Sequence, residues 1–266
     1  MTVQTLRTAT VNRLRRIVAT GDRDQAPELP LRAKLFLITH HDKTGQRHID
    51  QRGLELGLAG AVLLDLELAN KVQIGWRCDA RHGTWQQDPG RITVLNADPT
   101  GDPIADAALV ALWRRDIPNT VKDFVNQFAT TDLYERIRAD LVAAGLLRRT
   151  TRRRFRLFRH DIYQAVDPRL PYRVRAAIRN AAAQFRPDDP DYHTLAQAGL
   201  ITALGLTPYL FPPDMPTSRL QQRFHHIANS RPDPTVRDVA TAISPHRSRR
   251  ALASRRTGEQ PGLHSW

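Results

Sequence analysis

The stretch from Gln51 to Asn70 limits the fold more than any other part of the chain. Its apolar residues Leu54, Leu58, Ala61, Val62, Leu66 and Ala69 recur at helical spacing, while Leu56, Leu63, Leu64 and Leu68 fill the other faces. A helix that is apolar nearly all round must be covered on every side, so it predicts the centre of a helical bundle. The apolar run from Gly53 to Ile74 also carries Glu55, Asp65, Glu67 and Lys71. Charges at those positions would be penalised heavily in a bilayer centre, so the run reads as a core helix and not as a membrane span.

The rest of the chain supplies partners for such a helix. Pro27 and Pro30 break the segment before it, and Leu29 marks the expected start of the folded region. The short apolar run Leu35–Ile38 predicts a strand, Asp42-Lys43-Thr44-Gly45 a turn, and Arg47–Ile49 a returning strand, with Asp50 capping the central helix. Residues 71–95 predict a second small hairpin, and Asp98–Asp102 a turn into a helix at Ile104–Arg114. Further helices are expected over Thr120–Gln127, Thr131–Ala144, Tyr172–Phe185, His193–Leu206, Ser218–Asn229 and Val236–Ile243. Gly145 supplies a stop after the second of these. The fold class that follows is mainly α: a single-domain helical bundle with short β-hairpins, one of them projecting and arginine-rich. Its expected limits are 29–243, after a basic N-terminal segment and linker (1–28) and before a basic, disordered tail (244–266).

Composition narrows the function. Of 266 residues, 41% are hydrophobic and 25% charged, as in ordinary globular proteins. The single Cys78 excludes an intramolecular disulfide, no Cys/His cluster has zinc-site spacing, and the first twenty residues lack the pattern of a secretion signal. A cytoplasmic protein with no metal and no cofactor is expected. The formal charge of +13 is unevenly spread. Arg7, Arg13, Arg15 and Arg16 lie in the first segment, and Arg247, Arg249, Arg250, Arg255 and Arg256 in the tail. Seven more, Arg148, Arg149, Arg152, Arg153, Arg154, Arg156 and Arg159, fall within twelve residues that hold no acid. The remainder of the chain is close to neutral.

Arg154–Phe158 alternates Arg, Phe, Arg, Leu, Phe at strand period, so 148–159 predicts a hairpin with Thr150 and Thr151 near its turn. Phe155 and Leu157 on one face and Arg154 and Arg156 on the other would offer apolar and phosphate contact together, a combination suited to a membrane interface. The seven arginines are therefore expected to contact anionic lipid, with Phe155 and Leu157 as the apolar contacts. Arg173, Arg175 and Arg179 are expected to form a flanking basic helix. Nucleic acid is a weaker alternative, because no recognition helix or RNA-binding signature accompanies the patch. The bland alternative is a solvated loop whose Phe and Leu pack on the body.

Several landmarks together resemble one family. Leu29–Ile74 is similar without gaps to the opening of the Golgi phosphoprotein 3 domain, with its apolar strand, D-K-x-G turn and Gly- and Leu-rich central helix. Asp98–Asp102 with Ile104, Asp106, Ala108 and Leu109 resembles the next signature, and Arg136–Leu147 followed by Phe155–Phe158 resembles the helix and hairpin after it. The resemblance implies a helical bundle with a projecting hairpin. It also implies a peripheral membrane adaptor on the cytoplasmic face that binds phosphatidylinositol 4-phosphate and self-associates through the hairpin. This sequence departs from the family at the headgroup pocket. The family's tryptophan falls at Asp50, the arginine of the central helix at Ala59, and the paired arginines at Thr131 and Tyr134. Arg136 and Arg138 lie close by and are the candidate replacements. The alternative is an accessory or enzymatic protein that uses the same fold for a small-molecule ligand.

Catalytic constellations find little support. There is no P-loop, no Gly-x-Ser-x-Gly elbow and no dinucleotide fingerprint. Adjacent His40 and His41 in a strand would point to opposite faces, and His225 and His226 on a helix diverge by about 100°. No catalytic residue is assigned, and the protein is not expected to be an enzyme.

Overall fold

The computed structural model describes residues 29–79, 84–114, 116, 119–154, 158–186, 191–211, 218–229 and 236–243. The expected basic N-terminal segment and tail lie outside these residues, as do Phe155, Arg156 and Leu157.

Helix α1 (Leu31–Ile38) leads through a turn at 41–48 to α2 (Gln51–Leu68), the central helix. Leu54, Leu58, Ala59, Ala61, Val62, Leu63, Leu64 and Leu66 are all wholly shielded from solvent, as expected for a helix apolar all round. The Asp50 side chain accepts from the Gly53 amide and caps the helix, and Asn70 takes the left-handed conformation that ends it. Antiparallel strands β1 (Val72–Asp79) and β2 (Thr84–Val94) follow, then α3 (Pro103–Trp113), α4 (Val121–Phe128) and α5 (Thr131–Ala143). Strands β3 (Leu147–Arg154) and β4 (Phe158–Ala165) form the second hairpin. The chain continues through α6 (Leu170–Gln184), α7 (Tyr192–Ala203), the single turn α8 (Thr207–Leu210), α9 (Ser218–Asn229) and a helix over 236–243. The fold is mainly α with two short hairpins.

Helices α1, α3, α4, α5 and α7 and strand β1 all touch α2, so one hydrophobic cluster runs through the molecule with α2 at its middle. Close approach is possible because the helix is short of side chains where neighbours cross. A Cβ on Gly60 would lie 2.8 Å from Val239 and 2.9 Å from Ile243 of the last helix. Buried Arg32 ties the first three helices together. Its guanidinium pairs with Asp65 of α2 at 2.9 Å and with Asp102, which caps α3 by accepting from the Ile104 and Ala105 amides. Asp65 also accepts from the Leu31 amide at 2.8 Å.

The expected strand at Leu35–Ile38 is instead the second half of α1. A short, unbroken apolar run fits a buried helix and a buried strand equally well by pattern, and packing decides between them. Here Pro30 stands before the first helical residue and its carbonyl accepts from the Ala33 and Lys34 amides, while Leu31, Leu35 and Ile38 all go into the core. The expected return strand at Arg47–Ile49 shrinks to one bridge between His40 and Arg47.

Candidate functional site

The arginine-rich hairpin is rooted in the core and extends into solvent. Leu147, paired with Ala165, is buried, whereas Arg148, Arg149, Thr150 and Thr151 are exposed. Thr150 pairs with Ile162 and Thr151 with Asp161, so both threonines stand mid-ladder and not at the turn expected there. The ladder continues through Arg152 opposite His160, Arg153 opposite Arg159 and Arg154 opposite Phe158. The alternating stretch Arg154–Phe158, expected to be one strand, instead falls where β3 ends and β4 begins, and Arg148–Arg154 forms a strand without the apolar alternation that normally announces one. On one face Asp161 answers part of the charge: it accepts from Arg149 at 2.5 Å and from Thr151 at 2.7 Å. These two hydrogen bonds hold the Asp161 carboxyl below the usual carboxylate range.

The 41–48 turn docks at the root of this hairpin. Gly45 has φ +66°, and a Cβ there would lie 2.7 Å from the Tyr163 carbonyl oxygen and 2.9 Å from Ile162. The Gln164 side chain donates to the Lys43 carbonyl, and Asp42 pairs with Arg175 of α6, whose Nη1 donates at 3.1 Å. His48 stacks on Tyr209 of α8 with ring centres 3.9 Å apart. Four parts of the chain far apart in sequence therefore meet at this turn.

Beneath it lies an aromatic column. Buried His40 stacks on Phe36 at 4.2 Å, and Phe36 stacks on Tyr134 of α5 at 5.5 Å. His40 Nδ1 lies 2.7 Å from the Phe36 carbonyl oxygen, which can only accept, so the neutral ring carries its proton on Nδ1. Nε2 is then the acceptor for the Tyr134 hydroxyl, 3.3 Å away. Burial pushes the His40 pKa down to about 4 and raises that of the Tyr134 phenol. The adjacent His41 turns outward, as expected of neighbouring histidines in extended backbone.

Two guanidiniums border the column. Arg138 lies 4.0 Å from the Tyr163 ring centre and 5.5 Å from that of Tyr134, and also pairs with Glu135. Arg47 lies 5.8 Å from the Tyr134 ring centre and donates to Gln51 Oε1 at 3.1 Å. Arg136, the other candidate replacement, points elsewhere: it reaches Asp132 at 3.7 Å and the Pro103 carbonyl. The structure thus brings Arg138 to this place and leaves Arg136 away from it. Arg47 had no sequence signal of its own, since its neighbours here are remote in sequence.

The four departing positions have other occupations. Asp50 caps α2, Ala59 is wholly buried, and Tyr134 belongs to the column. Thr131 donates to Glu55 Oε1 at 3.0 Å. Glu55, 5% exposed, also accepts from Gln51 Nε2 at 2.9 Å and faces Arg52 at 3.6 Å. Of the expected basic flank, Arg173 pairs with Asp167 at 2.6 Å and Arg175 with Asp42. Arg179 is not part of a solvent-facing flank. It is 7% exposed and donates to the Leu210 carbonyl at 2.9 Å, fastening α8 to α6. Among the described residues no His, Cys, Asp or Glu side chains gather as a metal site, and no helix is long and apolar enough to cross a membrane.

A family model described as Golgi phosphoprotein 3 (GPP34) matches residues 31–244, from the first residue of α1 to just past the last helix. The chain belongs to the Golgi phosphoprotein 3 family. A VPS74-like protein of Dictyostelium discoideum is 24% identical over 220 residues, covering 77% of this chain and 79% of that protein. The Golgi phosphoprotein 3 match takes in the central helix, the Asp98–Asp102 turn and the whole arginine-rich hairpin. In that turn the Thr100 amide and hydroxyl both donate to Asp106, at 2.6 and 2.7 Å, so its acids serve turn and cap chemistry.

Proposed function

We propose that this protein is a peripheral membrane adaptor that docks on anionic lipid headgroups through the β3–β4 hairpin. The observation that carries this reading is charge density on a hydrogen-bonded ladder. Residues 147–165 hold seven arginines and one acid, Asp161, and most of them lie on a two-stranded ladder rooted in the core at Leu147. Each basic residue held near an anionic leaflet contributes roughly fivefold in affinity, so several acting together suffice to hold a domain at the surface. Family membership and the cationic, aromatic surroundings of Arg47, Arg138, Tyr134 and Tyr163 beside the hairpin root support the same face. In this reading the protein works from the cytoplasmic side, is not an enzyme, and self-associates through the hairpin. A phosphoinositide is the lipid that the family suggests. The lipid contacts are Arg148, Arg149, Arg152, Arg153, Arg154, Arg156 and Arg159, with Phe155 and Leu157 as apolar contacts outside the described residues.

One observation favours a second reading, in which the fold holds a small ligand other than a phosphate. The buried Glu55 carboxylate sits against Thr131, where the family resemblance would place an arginine. Flotation with phosphatidylserine, phosphatidylglycerol and phosphoinositide vesicles separates the two. Binding should be lost on the order of a hundredfold or more when Arg152, Arg153, Arg154 and Arg156 are changed to Ser, and should weaken steeply with salt. Absence of binding to any anionic vesicle at low salt refutes the docking. Retention on nucleic acid at comparable affinity would replace it with the nucleic-acid alternative.

A further inference from the structure

We infer that His41 and His48 form a proton-sensitive element in the turn at the hairpin root, so that acidification strengthens docking on an anionic membrane. The inference rests on the docking reading above and adds regulation to it. The two rings lie 6.0 Å apart, close enough for two charges to repel and for both to act on one surface. His41 Nδ1 accepts from the Lys43 and Thr44 amides, both at 3.2 Å, which leaves Nε2 as the ring's outward nitrogen. His48 stacks on Tyr209 and is half-buried, with burial, His41 and Arg175 favouring its neutral form and Asp42 opposing them.

The charged and titratable groups around the pair come from every element that packs on the turn. Asp42, Lys43 and Arg47 lie in the turn itself, Arg175 on α6, Tyr209 on α8, Tyr163 on β4, and Tyr134 and Arg138 on α5. Asp42 is already paired with Arg175. Glu135 on α5 is paired with Arg138, and buried His40, next to His41, is held neutral, so the charges of the two protonated rings add to those of Lys43 and Arg47. Histidine is the side chain whose ordinary titration falls between pH 5 and 8. An anionic surface at about −30 mV concentrates protons by roughly half a pH unit, so docking and protonation reinforce each other.

The test measures binding of the full chain to phosphatidylglycerol vesicles at constant salt between pH 7.5 and pH 5, a range in which that lipid keeps its charge. Wild type should bind on the order of tenfold tighter at the acid end, since two added charges are worth up to roughly thirtyfold when fully developed. In a His160→Gln background, which removes the histidine of the hairpin itself, the His41→Gln/His48→Gln double variant should change by less than about twofold over the same pH range. Should that variant not fold, the two single variants carry the test. Each of the single variants His41→Gln and His48→Gln should then keep only part of the acid response of wild type. A pH-independent affinity in wild type, or a full acid response in the double variant, overturns the inference and leaves the docking intact. Absence of binding at every pH overturns both.

Discussion

His40 links this site to the stability of the whole fold. The ring is 8% exposed, stacked on Phe36, and its only proton is donated to the Phe36 carbonyl. Its pKa in the folded protein is about 4, pushed down mainly by burial, against about 6.5 in an unfolded chain. The unfolded state therefore takes up a proton first as the pH falls. The stability contributed by the neutral ring is complete above pH 6.5 and is lost progressively as the pH drops towards 4. Linkage between those two values gives a loss of about 2 kcal/mol by pH 5 and about 3 kcal/mol by pH 4. Urea unfolding of wild type and His40→Gln at half-unit steps isolates this contribution, because other titrating groups are common to both proteins. The difference in unfolding free energy between them should shrink by those amounts as the pH falls. A difference that stays constant from pH 7 to pH 4.5 refutes the buried neutral ring.

Two further substitutions probe the framework that holds the site. Arg32→Met leaves Asp65 and Asp102 buried without their cation and should cost about 3–5 kcal/mol at pH 7 in a denaturant titration. Burial already pushes the Asp65 carboxyl up, so part of the loss should return as the pH falls and that group protonates. An unchanged midpoint would show that the ion pairs are dispensable. Gly45→Ala places a Cβ against the Tyr163 carbonyl in left-handed backbone and should cost about 1–3 kcal/mol. It should also speed amide exchange around the 41–48 turn while leaving the β1–β2 hairpin unaffected. Equal acceleration in both hairpins would contradict a local docking role for this glycine.

The electrostatic character of the hairpin differs from what a count of arginines suggests. Asp161 answers Arg149 within the ladder, Asp167 answers Arg173, and Asp42 answers Arg175. Arginines around the root are therefore partly engaged in holding the structure together. Of the three, only the Arg149–Asp161 pair has an exposed guanidinium, and such exposed pairs are weak, whereas the Arg173 and Arg175 side chains are largely shielded. Arg138 shows a related compromise. Its guanidinium carbon lies 4.0 Å from the Tyr163 ring centre, and such a cation–π contact preorganises a guanidinium without using all five of its donors.

What the sequence determined by itself was everything that local periodicity and local polar chemistry control. Leucines on all faces of Gln51–Leu68 made that helix central, because no arrangement leaves such a surface in water. Asp50 was legible as a cap, and Asp98–Asp102 as a turn, because each acts on amides within a few residues of itself. The clustered arginines located the second hairpin. Tertiary structure alone decided the rest. Leu35–Ile38 became helix because its surroundings bury it on all sides, a condition that a short apolar run does not encode. Arg179 looked like surface charge but is fastened to a carbonyl 31 residues away, and Arg138, but not Arg136, turned towards the hairpin. The column of Phe36, His40 and Tyr134 joins residues up to 98 apart. Such contacts follow from how helices cross, and spacing along the chain carries no information about crossings.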